Sequence, residues 1–259
     1  MILTEIKRKK GGLYIHVPFC PQVCNYCDFA VMKAPERLHL KWLNGVKREV
    51  ELKKKEWVNH SFKTIYLGGG TPSILSSSIL EELLVFIRQA FSSETILEEL
   101  IEVNLEVNPE HVNAKNIEMW LSIGFNRFSI GIQSFDDEVL KTLGRSHSSA
   151  LAESALNLLN EYKLNFSADL MFGLPNQTIE LFKNDLEKLC SFEPSHLSFY
   201  GLTIEEGTLF SQWEAKNKVE FPEDYDVSSG ILQKSRKNKT SEIAAIISII
   251  LKRKPHVAI

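Results

Sequence analysis

The sequence predicts an α/β fold with parallel strands and outer helices, arranged as a partial or complete barrel. Six short apolar runs, rich in β-branched and aromatic residues, indicate strands. Longer stretches with helical periodicity separate them, and this alternation favours parallel pairing. No dinucleotide-binding glycine fingerprint follows the strands, so we favour a barrel over a doubly wound sheet.

Each predicted element has its own local signal. Turn signals or helical patterns bound the strands, which cover Leu13–Val17, Thr64–Leu67, Ile101–Glu106, Arg127–Ile130, Phe166–Met171 and His196–Tyr200. Apolar residues at helical spacing predict helices over Arg37–Val58, Ser76–Phe91, Ala114–Ile123, Ser149–Tyr162 and Ile179–Cys190. Gly124 stands where a glycine is expected to cap the third of these helices.

Composition and charge narrow the class of protein. The 259 residues are 44% hydrophobic and 24% charged, an ordinary globular balance, and the net charge of −3 gives no sign of a nucleic-acid partner. The longest apolar run, Ile243–Leu251, is far shorter than a membrane-spanning helix needs. The N-terminus lacks the apolar segment of a secretory signal, so we expect a cytoplasmic protein without a transmembrane segment.

The chain is predicted to have three parts. Residues 1–12 form an N-terminal extension, 13–226 the core domain, and 227–259 a C-terminal tail with seven Lys or Arg and one acidic residue, Glu242. The tail has two interpretations: a short terminal helix on a basic end, or an interaction arm for an anionic surface or partner.

Three of the four cysteines form a compact cluster directly after the first predicted strand. Cys20, Cys24 and Cys27 have C-x3-C-x2-C spacing. Three thiolates on one tight loop can ligate three irons of a cubane cluster and leave the fourth iron open to another ligand. The alternative is a zinc site completed by His16 or a distant histidine, although structural zinc sites usually use two separated C-x2-C pairs.

Polar groups follow the successive strands. A barrel active site is built at the carboxyl ends of its strands, so these groups are expected to converge there. Glycines before Thr71 allow a ligand to approach the backbone closely. His147 is predicted either as a substrate-side polar group or as a structural histidine. The groups are the turn Gly68–Ser73, Glu106 at the end of the third strand, Gln133 and Arg145 after the fourth, and Asp169 at the end of the fifth.

Taken in order, these segments resemble one subgroup of the radical S-adenosylmethionine (SAM) superfamily. YIHVPFC, CNYCDF, GGGTPS, EVNPE, RFSIGIQSF, GRSH, DLMFGLP and LTIEEGT are similar, in this order, to oxygen-independent coproporphyrinogen III oxidases and their close relatives, the haem chaperones. The resemblance runs from Tyr14 to Phe210. It implies a partial (β/α)6 barrel of the TIM type, the radical SAM core, followed by a short C-terminal tail that does not resemble the family.

The resemblance also implies the cofactors and the residues that hold them. Three cysteines would ligate a [4Fe–4S] cluster: Cys20, Cys24 and Cys27. The residues that would surround SAM are Tyr14, Tyr26, Gly69, Gly70, Thr71, Glu106, Gln133, Arg145 and Asp169. Haem is a further ligand that the chaperone branch would bind.

Two departures separate the branches of this subgroup. The oxidases carry a Gly-Cys pair after the third cysteine, where this chain has Asp28-Phe29, and they carry a long N-terminal arm, whereas only 13 residues precede Tyr14 here. Both favour the haem chaperones, which bind haem and pass it to an acceptor protein. The alternative is an oxidase that decarboxylates coproporphyrinogen III to protoporphyrinogen IX, so whether the chain is an enzyme stays open.

A third interpretation is a truncated, inactive product. Haem chaperones continue beyond the barrel with a His-Asn-x-x-Tyr-Trp segment, which is missing after Asp226. The expected partners are haem or a porphyrinogen and a haem-acceptor protein, with a homodimer also compatible with the resemblance.

Overall fold

The computed structural model describes residues 9–57, 60–92 and 97–219. Within these ranges the chain forms six strands, β1 (Lys9–Val17), β2 (His60–Gly69), β3 (Leu97–Val107), β4 (Arg127–Gln133), β5 (Asn165–Phe172) and β6 (His196–Gly201). It also forms seven α-helices: α1 (Arg37–Lys53), α2 (Ser77–Ser92), α3 (Ala114–Ile123), α4 (Asp137–Leu143), α5 (Ser149–Glu161), α6 (Ile179–Ser191) and α7 (Leu209–Glu214). None of the helices in these ranges is long and apolar enough to cross a bilayer.

The strands form one six-stranded sheet whose spatial order follows the chain, β1-β2-β3-β4-β5-β6. The pairs β1–β2, β2–β3 and β5–β6 are parallel. At least one helix lies between each pair of consecutive strands, as parallel neighbours require. The predicted α/β class with parallel pairing is confirmed, and all six predicted strands exist with somewhat longer bounds.

The first strand begins earlier than predicted, inside the expected extension 1–12. Its pairing with β2 starts at Lys9 and shifts register between Gly11 and Gly12. A Cβ on Gly12 would lie 2.5 Å from the Thr64 hydroxyl, so any other residue here would force the Thr64 side chain to move. The remaining boundaries stay predictions, and the tail 227–259 lies outside the described residues.

Two predicted helix ends have clear outcomes. Gly124 caps α3 in the left-handed conformation, with φ 106°, which confirms the expected C-cap. The first helix was predicted to reach Val58 but ends at Lys53, and a 3-10 turn, Lys54–Trp57, follows. None of these four residues is buried, although the half-buried Trp57 ring lies 5.8 Å from the Phe91 ring, so burial gives little support to a further α-helical turn. Val58 lies outside the described residues.

The chain divides into two compact units, each described by itself. The first contains the described residues up to Pro21, together with those within Ala30–Val107 and Asn113–Phe128. Its core is formed by fully buried apolar side chains of strands and helices, among them Leu43, Ile65, Leu67, Leu80, Leu83, Phe91 and Trp120.

The second unit contains Gln22–Phe29, Asn108–Val112 and the described residues from Ser129 to Val219. One of its apolar clusters consists of Val139, Leu143, Met171, Leu174, Leu202, Ile204 and Phe210. Tyr26 packs against this cluster, which gives the cysteine loop a hydrophobic anchor.

The short helix α4 was not predicted, although both of its ends carry sequence signals. The Asp136 carboxylate accepts a hydrogen bond from the Val139 N–H at the N-terminus. Gly144 caps the C-terminus with φ 74°. Its seven residues make only two turns, too short for periodicity to stand out.

Candidate functional site

In the first unit, the glycine turn is held against the residues that lead into Cys20. The Gly70 N–H donates to the Val17 carbonyl at 2.8 Å, and the Thr71 N–H donates to the Phe19 carbonyl at 2.7 Å. The Thr71 hydroxyl in turn donates to Cys20 Sγ at 3.6 Å. The turn therefore fixes both the backbone before this cysteine and a proton donor at its sulfur.

A side chain at Gly70 would not fit this arrangement. A Cβ there would lie 2.6 Å from the Phe19 oxygen, 2.9 Å from the Val17 oxygen and 3.0 Å from Cys20 Sγ. Two of these three neighbours are backbone atoms, which cannot rotate away. The glycine is thus required for close approach of the two segments.

The Glu106 carboxylate is fixed against the same turn. One oxygen accepts from the Tyr66 hydroxyl at 2.7 Å, and the other accepts from the Gly69 N–H at 2.9 Å. Burial raises the pKa of Glu106, while these two hydrogen bonds act in the opposite direction. The carboxylate is therefore held in one orientation near the end of β3, as the sequence predicted.

The exposed Tyr14 belongs to an aromatic group that includes His16. Its ring stacks on Tyr66 with 5.9 Å between centroids, and its hydroxyl is hydrogen-bonded to His16 Nδ1 at 3.2 Å. The other His16 nitrogen is hydrogen-bonded to the Ala30 carbonyl oxygen at 3.0 Å. Because both ring nitrogens are engaged, a zinc site completed by His16 would first have to break one of these bonds.

In the second unit, the loop that carries Cys24 and Cys27 is tied to the C-terminal end of α4. The Cys27 N–H donates to the Cys24 carbonyl at 3.2 Å, which closes a tight turn. Between them, the Asn25 backbone N–H donates to the Leu143 carbonyl at 2.9 Å, and the Asn25 side-chain amide donates to the Thr142 carbonyl at 2.9 Å. These bonds give otherwise unpaired carbonyls of the helix end their partners.

Arg145 follows α4 and brings a positive charge to Cys24. Its Nη2 donates to the Gly131 carbonyl at 2.8 Å and to Asn108 Oδ1 at 3.1 Å, while Nη1 donates to Cys24 Sγ at 3.7 Å. Burial disfavours the charge, but the neighbouring Tyr26 and Cys24 outweigh it and raise the pKa of Arg145. Cluster iron is bound by thiolates, and a fixed cation at this distance stabilises negative charge on sulfur.

His147 is a buried neutral histidine. Its Nε2 is hydrogen-bonded to the Ile132 carbonyl at 3.1 Å, and its Nδ1 lies 3.8 Å from the Glu110 carboxylate. Burial, followed by the charge of Arg145, lowers the pKa of His147 to about 4. Burial also opposes ionisation of Glu110, but a hydrogen bond from Ser146 and the Arg145 charge bring its pKa below the ordinary value. This arrangement favours the structural role of the two that were predicted for His147.

Gln133 is the last residue of β4 and has an unusual backbone conformation, with φ 71°. Its Oε1 accepts a hydrogen bond from the Tyr200 hydroxyl at 2.6 Å. Burial, with added repulsion from Tyr26 and Asp169, raises the pKa of Tyr200 well above its usual value, so the phenol stays protonated. Asp169 was predicted at the end of the fifth strand, but it lies three residues before that end, at Phe172.

Each unit therefore gathers a different part of the predicted site. The first contains Tyr14, Cys20, Gly69, Gly70, Thr71 and Glu106, and the second contains Cys24, Tyr26, Cys27, Gln133, Arg145 and Asp169. The sequence analysis did not single out three residues whose side chains are hydrogen-bonded to the predicted site residues: Tyr66, Asn108 and Tyr200. It also missed Glu110, which accepts a hydrogen bond from Asn108. Asn108 and Glu110 stand in the segment EVNPE, whereas the two tyrosines have the character of ordinary strand formers.

Within each unit, the cysteines have neighbours that suit thiolate ligands of an iron–sulfur cluster. Cys20, Cys24 and Cys27 are partly exposed, and Cys190 is buried. A hydroxyl donor lies at Cys20 Sγ and a guanidinium at Cys24 Sγ. The turn needs its glycines, because a Cβ at Gly68, Gly69 or Gly70 would come within 2.6 Å of a neighbouring atom of the chain. Over the described ranges, no three His, Cys, Asp or Glu side chains form a group that could hold a single metal ion.

Comparison with known proteins identifies the family. The model of the radical SAM superfamily matches residues 14–189. The heme chaperone HemW of Haemophilus influenzae is 40% identical over 208 residues, which are 77% of this chain and 53% of that protein. HemW of Escherichia coli is 39% identical over 208 residues, covering 79% of this chain and 54% of that protein.

The fold has a solved counterpart in coproporphyrinogen III oxidase (HemN) from Escherichia coli, a radical SAM enzyme. The TM-score is 0.73 at 23% identity, and the match covers 93% of this chain and 53% of that one. This likeness confirms the partial (β/α)6 barrel predicted for the core. The chain spans about half the length of the curated relatives it matches. Its sequence, its strand order and the family match together show that the chain belongs to the radical SAM superfamily.

Proposed function

We propose that the protein holds a [4Fe–4S] cluster through Cys20, Cys24 and Cys27 and binds S-adenosylmethionine at the open iron. The observation that carries this proposal is the pair of donors at the sulfurs, the Thr71 hydroxyl at Cys20 and the Arg145 guanidinium at Cys24. Hydrogen bonds and charges at thiolate sulfurs are the means by which a protein tunes such a cluster.

When bound, the cluster and S-adenosylmethionine supply one-electron chemistry, and the protein supplies position and charge. The glycine turn offers close backbone approach, and the Glu106 carboxylate, held by Tyr66 and Gly69, is an oriented acceptor for a ligand amino or hydroxyl group. Tyr26 packs against the apolar cluster around Phe210 and so anchors the loop that carries Cys24 and Cys27.

We further propose that the protein is a haem chaperone, which binds haem and delivers it to an acceptor protein in the cytoplasm. Support comes from the 40% and 39% identity to heme chaperones HemW and from Asp28-Phe29 after the third cysteine. The alternative is a coproporphyrinogen III oxidase, since HemN from Escherichia coli has the same fold. A homodimer is a further expectation of this proposal, and light scattering of the full chain would test it.

The test begins with anaerobic reconstitution using iron and sulfide. Electron paramagnetic resonance of the reduced protein should show a [4Fe–4S] signal that changes when S-adenosylmethionine is added. Cys24→Ala should lose this signal, whereas Cys190→Ala should keep it, because Cys190 is buried in α6, away from the cysteine loop in sequence. A wild-type chain without a cluster, or with a cluster indifferent to S-adenosylmethionine, would contradict the cofactor proposal.

The second step separates the two activities. The reconstituted protein is titrated with haem, followed by absorbance, and is incubated with coproporphyrinogen III under reducing conditions. Haem binding without release of carbon dioxide is the expected result. Carbon dioxide release would establish the oxidase instead, and failure of both assays with an intact cluster would support the third interpretation, an inactive product.

A further inference from the structure

The end of β4 places a buried glutamine in a costly conformation. Gln133 has φ 71°, in the left-handed region that non-glycine residues rarely adopt, and its side chain is almost fully buried. Such a conformation is unfavourable and persists only where the surrounding structure imposes it. The resemblance to radical SAM proteins points to the glutamine itself, but not to what holds it.

Tyr200 on β6 fixes the direction of the Gln133 amide. The 2.6 Å distance from its hydroxyl to Oε1 suits an O–H···O hydrogen bond and is short for an N–H···O bond. The oxygen of the amide therefore faces Tyr200, and the amide nitrogen points elsewhere. An isolated amide could turn over and exchange these two roles.

The amide nitrogen lies over Gly131, beside Arg145. A Cβ on Gly131 would meet Gln133 Nε2 at 2.9 Å and Arg145 Nη2 at 3.4 Å. Both groups can only donate hydrogen bonds, and Arg145 Nη2 already gives its two protons to the Gly131 carbonyl and Asn108 Oδ1. A ligand group that meets the Gln133 NH₂ group must offer an oxygen acceptor, as a carboxylate or a sugar hydroxyl does.

We propose that Tyr200 is a positioning residue, which holds the Gln133 amide so that its NH₂ group faces the ligand beside Arg145. The proposal rests on the S-adenosylmethionine site proposed above and deepens it. Tyr200 does not need to touch the ligand. Because the Tyr200 hydroxyl bonds to Oε1, the Gln133 amide presents its NH₂ group, a hydrogen-bond donor, to the ligand. The site then favours a ligand group with an oxygen acceptor.

The affinity test uses a double-mutant cycle on the reconstituted full chain. Tyr200→Phe, Gln133→Ala and the double variant are compared by calorimetric titration with S-adenosylmethionine. We expect Tyr200→Phe to weaken binding roughly five- to tenfold, the effect of about one hydrogen bond. The double variant should bind no more weakly than Gln133→Ala, because Tyr200 acts through that residue. Tyr162→Phe, at the end of α5, is the matched control and should bind as wild type does.

Two results would overturn the proposal: an unchanged affinity in Tyr200→Phe, or losses that add in the double variant. A second measurement needs no ligand. The side-chain amide of Gln133 is observed by ¹⁵N NMR in the cluster-free chain, where wild type should give one slowly exchanging NH₂ pair. In Tyr200→Phe this pair should shift and exchange faster with solvent.

The NMR measurement separates this proposal from the one on which it rests. If the amide signals respond as expected but the wild-type chain binds no S-adenosylmethionine, the proposed cofactor site fails and Tyr200 still positions Gln133. If the amide signals are the same in Tyr200→Phe and wild type, the positioning role is refuted whatever the affinity for S-adenosylmethionine.

Discussion

Replacing Gly70 with alanine tests whether the glycine turn and the cysteine loop depend on each other. The added methyl group would lie 2.6 Å from the Phe19 oxygen and 2.9 Å from the Val17 oxygen. These same carbonyls accept the hydrogen bonds from Thr71 and Gly70 at 2.7 and 2.8 Å. Relief of the clash must therefore separate the two segments and lengthen both bonds.

The cost can be worked from these contacts. Each of the two weakened backbone hydrogen bonds should cost about 0.5–1.5 kcal/mol of unfolding free energy. The overpacked site adds about 1–3 kcal/mol. We expect Gly70→Ala to lose about 2–6 kcal/mol of unfolding free energy, equivalent to a fall in Tm of roughly 4–24 °C for a chain of this size. Because Cys20 Sγ would lie 3.0 Å from the new methyl group, iron uptake on reconstitution should fall as well.

The assay is thermal unfolding of the cluster-free chain, followed by circular dichroism, with iron and sulfide content measured after reconstitution. Gly45→Ala is the control, because a Cβ there meets nothing within 4 Å and Gly45 lies inside α1. In a helix interior this change should stabilise by about 0.5–1 kcal/mol. If Gly70→Ala melts within about 2 °C of wild type and binds a full complement of iron, the close approach is not required and our reasoning is refuted.

Three more predictions concern hydrogen bonds and charge around the loop. Thr71→Val removes the hydroxyl from Cys20 Sγ and should make the cluster potential more negative in a redox titration, whereas Thr71→Ser should restore it. Asn25→Ala removes the donor to Thr142 and should cost about 1 kcal/mol in urea unfolding. His147, with a pKa of about 4 against 6.5 unfolded, stays neutral in the fold while the unfolded chain takes up the proton. Stability should therefore fall by about 2 kcal/mol between pH 7 and pH 5 and continue falling towards pH 4, and His147→Gln should remove this loss.

Each of these predictions has a contrary result. An unchanged potential in Thr71→Val would mean that the hydroxyl does not act on the cluster. Equal urea midpoints for wild type and Asn25→Ala would mean that water replaces the donor at Thr142. The same pH profile in wild type and His147→Gln would assign the acid sensitivity to another group.

Most of the fold could be predicted from the sequence, because strands and long helices have a local periodicity of apolar residues. All six strands and the five longer helices were predicted near their observed positions, and the cap at Gly124 was foreseen from glycine alone. Helix α4 was missed, since two turns between Asp136 and Gly144 give too little repetition. The motifs and their order along the chain were also sufficient to indicate the family, because each motif is a short local segment.

The tertiary structure decided how the candidate residues are held. Tyr66 and Tyr200 look like ordinary strand residues, and nothing in their neighbourhood indicates that they bond Glu106 and Gln133. Their partners are 40 and 67 residues away along the chain. Periodicity reports on neighbours in sequence, whereas a hydrogen bond between strands depends on register and side-chain direction. The sequence by itself thus determined which side chains are available for the site. The tertiary structure decided how these side chains are oriented, because their partners come from other strands of the sheet.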